Sequence, residues 1–149
     1  MAREWAEFQA VTTAWNRPGD FVAFPGYEWQ GNARWGDVNV IYKTEGRSIY
    51  TVATLPELYA LLRGTDAIAI PHHTGYYVGQ RAPSWDACDD QISPFSEVFS
   101  IHGCSETDEE WIGMRSNSHM GPGMGGGTYQ EALDRGCLLY TSPSPRDRS

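Results

Sequence analysis

The chain predicts an α/β fold with a largely parallel sheet. Short apolar, alternating runs recur at 21–30, 37–44, 66–73 and 95–103. Capped segments with helical periodicity fall around and between them. Strands that alternate with helices are the signature of α/β chains, and 149 residues supply one domain with a sizeable core.

In "EWAEFQAVTTAW", residues 4–15, Trp5, Phe8, Val11, Thr12 and Trp15 lie near a 3.6-residue period, predicting an amphipathic helix that "NRPGD" stops. "FVAFPGYEWQ" reads as a buried strand ending around Glu28, "GNARWG" as a loop and "DVNVIYKT" as a second strand. "TLPELYALLRG" is a helix: Thr54 caps it, Pro56 and Glu57 occupy its first turn, and Gly64 ends it. "DAIAIPHH" is the third strand, succeeded by a loop over 74–94. "FSEVFSIHG", 95–103, is the fourth strand. A polar, glycine-rich connection leads to a helix in "TYQEALDRG", with Thr128 as cap, Glu131 three residues on and Gly136 at its end. "GPGMGGG" lacks the Lys-Ser/Thr of a phosphate loop and reads as a connector.

Composition removes some function classes. The net charge is −8 with no basic stripe, so the footprint of a nucleic-acid binder is missing. No apolar run approaches the roughly 20 residues of a membrane span. The first 15 residues have no apolar core of a signal peptide, which leaves the compartment undetermined. Cys88, Cys104 and Cys137 form no C-x-x-C, and the odd count predicts neither a disulfide framework nor a thiolate zinc site.

The last segment, "CLLYTSPSPRDRS", is Ser/Pro-rich and charged at its end. It resembles the translation of a transposase sequencing adaptor. Residues 1–136 are therefore read as the domain, and 137–149 as a non-native tail expected to make few core contacts.

Three predicted strands end in a potential ligand: Glu28, the pair His72 and His73, and His102. Functional groups of parallel α/β folds gather at the carboxyl ends of strands. One carboxylate with two or three neutral imidazoles is a ligand set for zinc, manganese or iron. The plainer readings are a Glu28 bonded to backbone or paired with Arg34, and a His102 satisfied in the interior. At most one of His72 and His73 is expected to bind metal directly. Tyr76, Trp85 and Glu106 join His73 as candidates for contacts to a ligand residue or to substrate, with Trp85 the best pocket wall. His119 reads as a loop residue, Cys104 as a small buried thiol, and "TDEE" as a solvated face.

"FPGYEW", "GDVNVIY", "IPHHTGY" and "EVFSIHGCSE", in that order, resemble the PHP (polymerase and histidinol phosphatase) superfamily of metal-dependent phosphoesterases, closest to a branch catalogued as a domain of unknown function. The resemblance covers residues 1–136. It implies a distorted β/α barrel with two or three metal ions at the strand ends. It implies Glu28 as the metal-bridging carboxylate and His72 (or His73) and His102 as ligands of the second ion. The His-x-His that opens the family pattern and the Asp-x-His that closes it are not found here. The expectation is an internal piece of a longer chain, a partial barrel incomplete at both ends.

The function expected is that of a metal-dependent hydrolase using metal-activated water on a small phosphorylated substrate. The piece by itself should hold divalent metal weakly and turn nothing over. The alternative is a non-catalytic or single-metal binding domain on the same scaffold.

Overall fold

The computed structural model describes residues 2–116, 121 and 126–137. At its centre is a three-stranded sheet in the order β1 (Gly26–Gln30), β2 (Asp37–Tyr42), β3 (Ala67–His72), and both pairings are antiparallel. This overturns the parallel sheet and the partial β/α barrel. The strands are short, both sheets among the described residues are antiparallel, and no barrel closes. The reason lies in the connections. The turn from β1 to β2 holds only the four-residue helix α2 (Asn32–Trp35), whereas a parallel pairing needs a crossover of about a dozen residues or more. The longer link from β2 carries α3 (Leu55–Leu62), yet it returns to the end it left: Tyr42 faces Ala67, and β3 runs back along β2.

Alternation sorts the sheet into two faces. Trp29, Val38, Val40, Tyr42, Ala67 and Ala69 are buried and pack with Leu55, Leu58 and Leu62 of α3 in one core cluster. The other face carries Glu28, Asp37, Asn39, Ile41, Ile70 and His72, since these residues alternate with the core set along their strands. α3 begins in a reciprocal cap: Thr54 Oγ1 accepts from Glu57 N–H, and the Glu57 carboxylate accepts from Thr54 N–H.

The first helix, α1 (Ala2–Trp15), is mostly solvated. Phe8, Val11 and Trp15 are exposed, and only Trp5 packs on the core. Gln9 ties α1 down by exchanging two hydrogen bonds with the backbone of Arg47. The run 21–30 shortens to β1, because Pro25 interrupts it and has no N–H for a ladder.

The strand expected over 95–103 is two shorter pieces. Residues 92–97 run along the free edge of β3, with Ala69 N–H donating to Ile92 O and Glu97 N–H to Pro71 O. The chain then forms a small hairpin, β4 (Phe99–Ser100) with β5 (Gly103–Cys104), turning at Ile101 and His102. Gly103, at φ 122°, sits where a side chain would strain the turn.

The last helix, α4 (Tyr129–Asp134), starts at Thr128, whose hydroxyl accepts from Glu131 N–H. Its N-terminus docks on 105–106 through Tyr129 N–H to Ser105 O and Gln130 N–H to Glu106 O. Cys137, just beyond it, is buried beside Trp85 and Ala132 and disulfide-bonded to Cys88 across a Cα–Cα distance of 5.5 Å. Two expectations are corrected here: a disulfide exists, and Cys137 is a core residue. A separation of 49 residues leaves no spacing signal. The pairing depends on α4 reaching the 3₁₀ turn Trp85–Ala87, where Arg135 also pairs with Asp86 at 2.8 Å. Residues 138–149 and His119 lie outside the described residues. No described helix is long and apolar enough to cross a membrane.

Leu58 is fully buried between α3 and the sheet. Leu58→Ala should lower unfolding free energy by about 2–5 kcal/mol in a urea titration. Cys137→Ser should lower it by about 2–4 kcal/mol under non-reducing conditions and by nothing more once the wild type is reduced. An unchanged midpoint in either variant would rule out the corresponding packing.

Candidate metal centre

The register of the sheet builds the site. Gln30 pairs with Asp37 and Asp37 with His72, so one row crosses all three strands at their common edge. Glu28 lies two rows below, opposite Asn39 and on the same face. β1 and β3 flank β2 and run in the same direction, which brings Glu28 and His72 to one end of the sheet.

β3 ends at His72. His73 then takes a positive φ of 55°, a conformation that is uncommon for a residue with a side chain. The reversal sets its ring against that of His72, with centroids 3.5 Å apart and the planes tilted by 35°. His72 Nε2 and His73 Nε2 each lie 3.9 Å from Glu28 Oε1. One potential ligand atom from each of the three residues falls within 4.8 Å of the other two. A tetrahedral ion with ligand bonds of about 2.1 Å sets its ligand atoms about 3.4 Å apart. The observed 3.9 Å spacing to Glu28 is thus within about half an ångström of what an ion would impose.

Glu97 completes the arrangement. Its carboxylate lies 2.8 Å from His72 Nδ1. This carboxylate–imidazole contact puts the Nδ1 proton on the Glu97 side and directs Nε2 toward Glu28, the orientation that a second carboxylate gives a ligating histidine. Glu97 is held by the edge hydrogen bond to Pro71 and by Thr74 Oγ1, which donates to Glu97 O at 2.6 Å. His73 has no such partner. It is buried, and its Nδ1 makes no hydrogen bond among the described residues.

The protonation preferences of the two rings diverge. The hydrogen bond to Glu97 raises His72 above its ordinary 6.5, against the opposing effect of burial. Burial works against the Glu97 carboxylate too, but the bond and charge of His72 outweigh it and hold its pKa below the usual range. Burial, then the charge of His72, pushes His73 down to about 4, so its ring is neutral at pH 7. Asp37 is raised by burial, with the Arg81 guanidinium, Nε 3.3 Å from its Oδ2, acting in the other direction.

The donor set fits a borderline divalent ion. It offers one carboxylate and two imidazoles, one held in the ligating orientation and one already neutral. The three ligands named from the sequence, Glu28, His72 and His102, and this cluster share two members. His102 sits on the hairpin turn, its ring 4.9 Å from His73 and 5.7 Å from Tyr76. The fully buried Tyr76 packs edge-on to both rings. Trp85 belongs to the cluster with Ala132 and Cys137. Glu106 falls in another group, with Cys104 and Glu110, where Glu110 Oε1 already accepts from Thr107 N–H and Oγ1–H. Glu97, Asp37 and Arg81 do not stand out in the sequence; none sits at a motif spacing from the histidines.

No protein-family model, curated protein or solved structure matches this chain.

Stability without added metal should respond to pH in opposite senses at the two histidines. His73 stays neutral when folded, so its contribution is complete above about 6.5 and is lost as pH falls toward 4, where only the unfolded chain gains the proton. His72 binds its proton more tightly when folded, so its contribution is complete below about 6.5 and fades as pH rises through its raised pKa. Urea titrations of His72→Gln and His73→Gln beside wild type should show the two stability gaps changing with opposite slopes. Parallel slopes would refute the assignment.

Proposed function

We propose that this chain binds a divalent transition metal through Glu28, His72 and His73, as part of a hydrolase acting on a small phosphoester. The observation that carries the reading is the convergence of three ligand atoms within 4.8 Å, with Glu97 aiming one of them. The resemblance of "FPGYEW", "IPHHTGY" and "EVFSIHGCSE" to PHP phosphoesterases supports it in part, since it implies Glu28 and one of the two adjacent histidines as ligands, with His102 in place of the other.

An ion in this position supplies Lewis acidity and an ionised water near neutral pH. The protein does the rest. Glu97 keeps the Nδ1 proton of His72 and orients the ring. Burial keeps His73 neutral and limits water on its side of the cluster. Tyr76 and His102 wall the site behind His73. Arg81, anchored on Asp37, brings a positive charge beside the cluster, where it favours an anionic substrate.

A second reading has one observation in its favour. The three clustered ligands suffice for a single ion, which suits a metal-binding domain without catalysis. Stoichiometry and turnover separate the two.

Metal titration by calorimetry with Zn, Mn and Fe(II) should show saturable binding. Glu28→Ala and His73→Ala should abolish it, and Glu97→Gln should weaken it about 10- to 100-fold. In the longer protein expected from the sequence, hydrolysis of a chromogenic phosphoester should require metal and disappear in Glu28→Ala, while this chain alone should show none. Metal binding without hydrolysis in that longer protein would favour the second reading, and no binding would end both.

A further inference from the structure

The geometry points to the cleft between β1 and residues 49–52 as the seat of the substrate's non-reacting part, a polyhydroxylated ring of the sugar class. The inference rests on the metal-hydrolase reading only for the position of the phosphoryl end. β1 is the edge strand of its sheet. Residues 49–52 run beside it without joining the ladder, and a cleft of about 340 Å³ opens between them. That volume lies at the lower end for small-molecule sites.

Two side-chain bonds span the gap. Trp29 Nε1–H donates to Val52 O at 3.2 Å, and Tyr50 N–H donates to the Tyr27 hydroxyl at 3.1 Å. They fix the width of the cleft and satisfy the polar tips of Tyr27 and Trp29 on backbone. Trp29 itself is buried in the core, and the half-buried Tyr27, Tyr50, Ile49 and Val52 supply the apolar lining.

The rim is polar. Gln30 on one wall and Thr51 on the other are exposed. Glu28 lies on the same side of β1 as Gln30 and belongs both to the cleft and to the ligand cluster. A sugar ring has an apolar C–H face and an edge of hydroxyls, and this cleft offers a surface for each. A wholly apolar occupant would strip water from Gln30 and Thr51 without replacing their hydrogen bonds. Inorganic phosphate would leave the apolar lining uncovered. A sugar phosphate satisfies both surfaces and sets its phosphoryl group next to Glu28.

The test is equilibrium calorimetry on the Mn-loaded chain with glucose 6-phosphate, inorganic phosphate and phenyl phosphate. The variant is Gln30→Leu/Thr51→Val, with both changes at exposed positions outside the ligand cluster. Wild type should bind glucose 6-phosphate at least about tenfold more tightly than inorganic phosphate, the worth of one or two net hydrogen bonds. The variant should lose that preference and keep its metal content and phosphate affinity. Equal binding of glucose 6-phosphate and phosphate by wild type, a preference that survives in the variant, or tighter binding of phenyl phosphate would each overturn the inference. Repeating the titration without metal distinguishes the two claims. Sugar discrimination without metal binding fails the metal reading alone, and metal binding without sugar discrimination fails this one alone.

Discussion

The antiparallel register of β1, β2 and β3 is the constraint on which the rest depends. It fixes two faces at once. Trp29, Val38, Val40 and Ala69 on one face bury against α3, and Glu28, Asp37 and His72 occupy the other. A slip of one residue in either pairing would exchange the faces of a whole strand. It would expose the core valines and drive a carboxylate or an imidazole into an apolar layer, where burial without partners is costly. The burial that stabilises the sheet therefore also positions the ligand candidates. No separate device is needed to bring Glu28 and His72 together.

A second device is needed for His73. Neighbouring residues on a strand point to opposite faces, so two consecutive histidines can address one point only if the strand ends between them. It does: β3 stops at His72, and the left-handed backbone of His73 folds the next ring back over the first. Thr74 and Gly75 hold the strained turn in place. Thr74 bonds to Glu97 O and contacts Ser105, and Gly75 N–H reaches Gly127 O. The segment that anchors Thr74 is the same one that carries Glu97 along the edge of β3.

The local elements were legible in the sequence where their signals are local. Thr54 with Glu57, and Thr128 with Glu131, mark their helix starts by side-chain chemistry alone. The sheet was not legible, because parallel and antiparallel strands of the same burial read alike; the connections decide between them. Glu28 and His72 came from a rule about parallel strands, yet they meet because β1 and β3 run the same way on either side of β2. His102 looked like a strand end because "FSIHG" hides a hairpin turn at Gly103. Glu97 lies 25 residues from His72 in sequence, and its role exists only once 92–97 pairs along β3. The Cys88–Cys137 pair is invisible for the same reason.

The divergent histidines determine where protons sit in the site. His72 is biased toward its protonated form by Glu97, and His73 toward its neutral form by burial. A cation held by this cluster would compete with the proton that Glu97 favours on His72, and at His73 with a proton that burial already disfavours. Glu97 suits either protonation state of His72 without changing place, as counter-ion to an imidazolium or as acceptor for the Nδ1–H of a neutral ring. The same 2.8 Å contact serves both. His73 cannot offset its burial in that way, since its Nδ1 has no acceptor among the described residues. Its neutral ring is retained because the alternative, a charged imidazole beside His72 and Arg81 in a buried site, is worse. Burial and repulsion thus set the state of one candidate ligand, and a hydrogen bond orients the other.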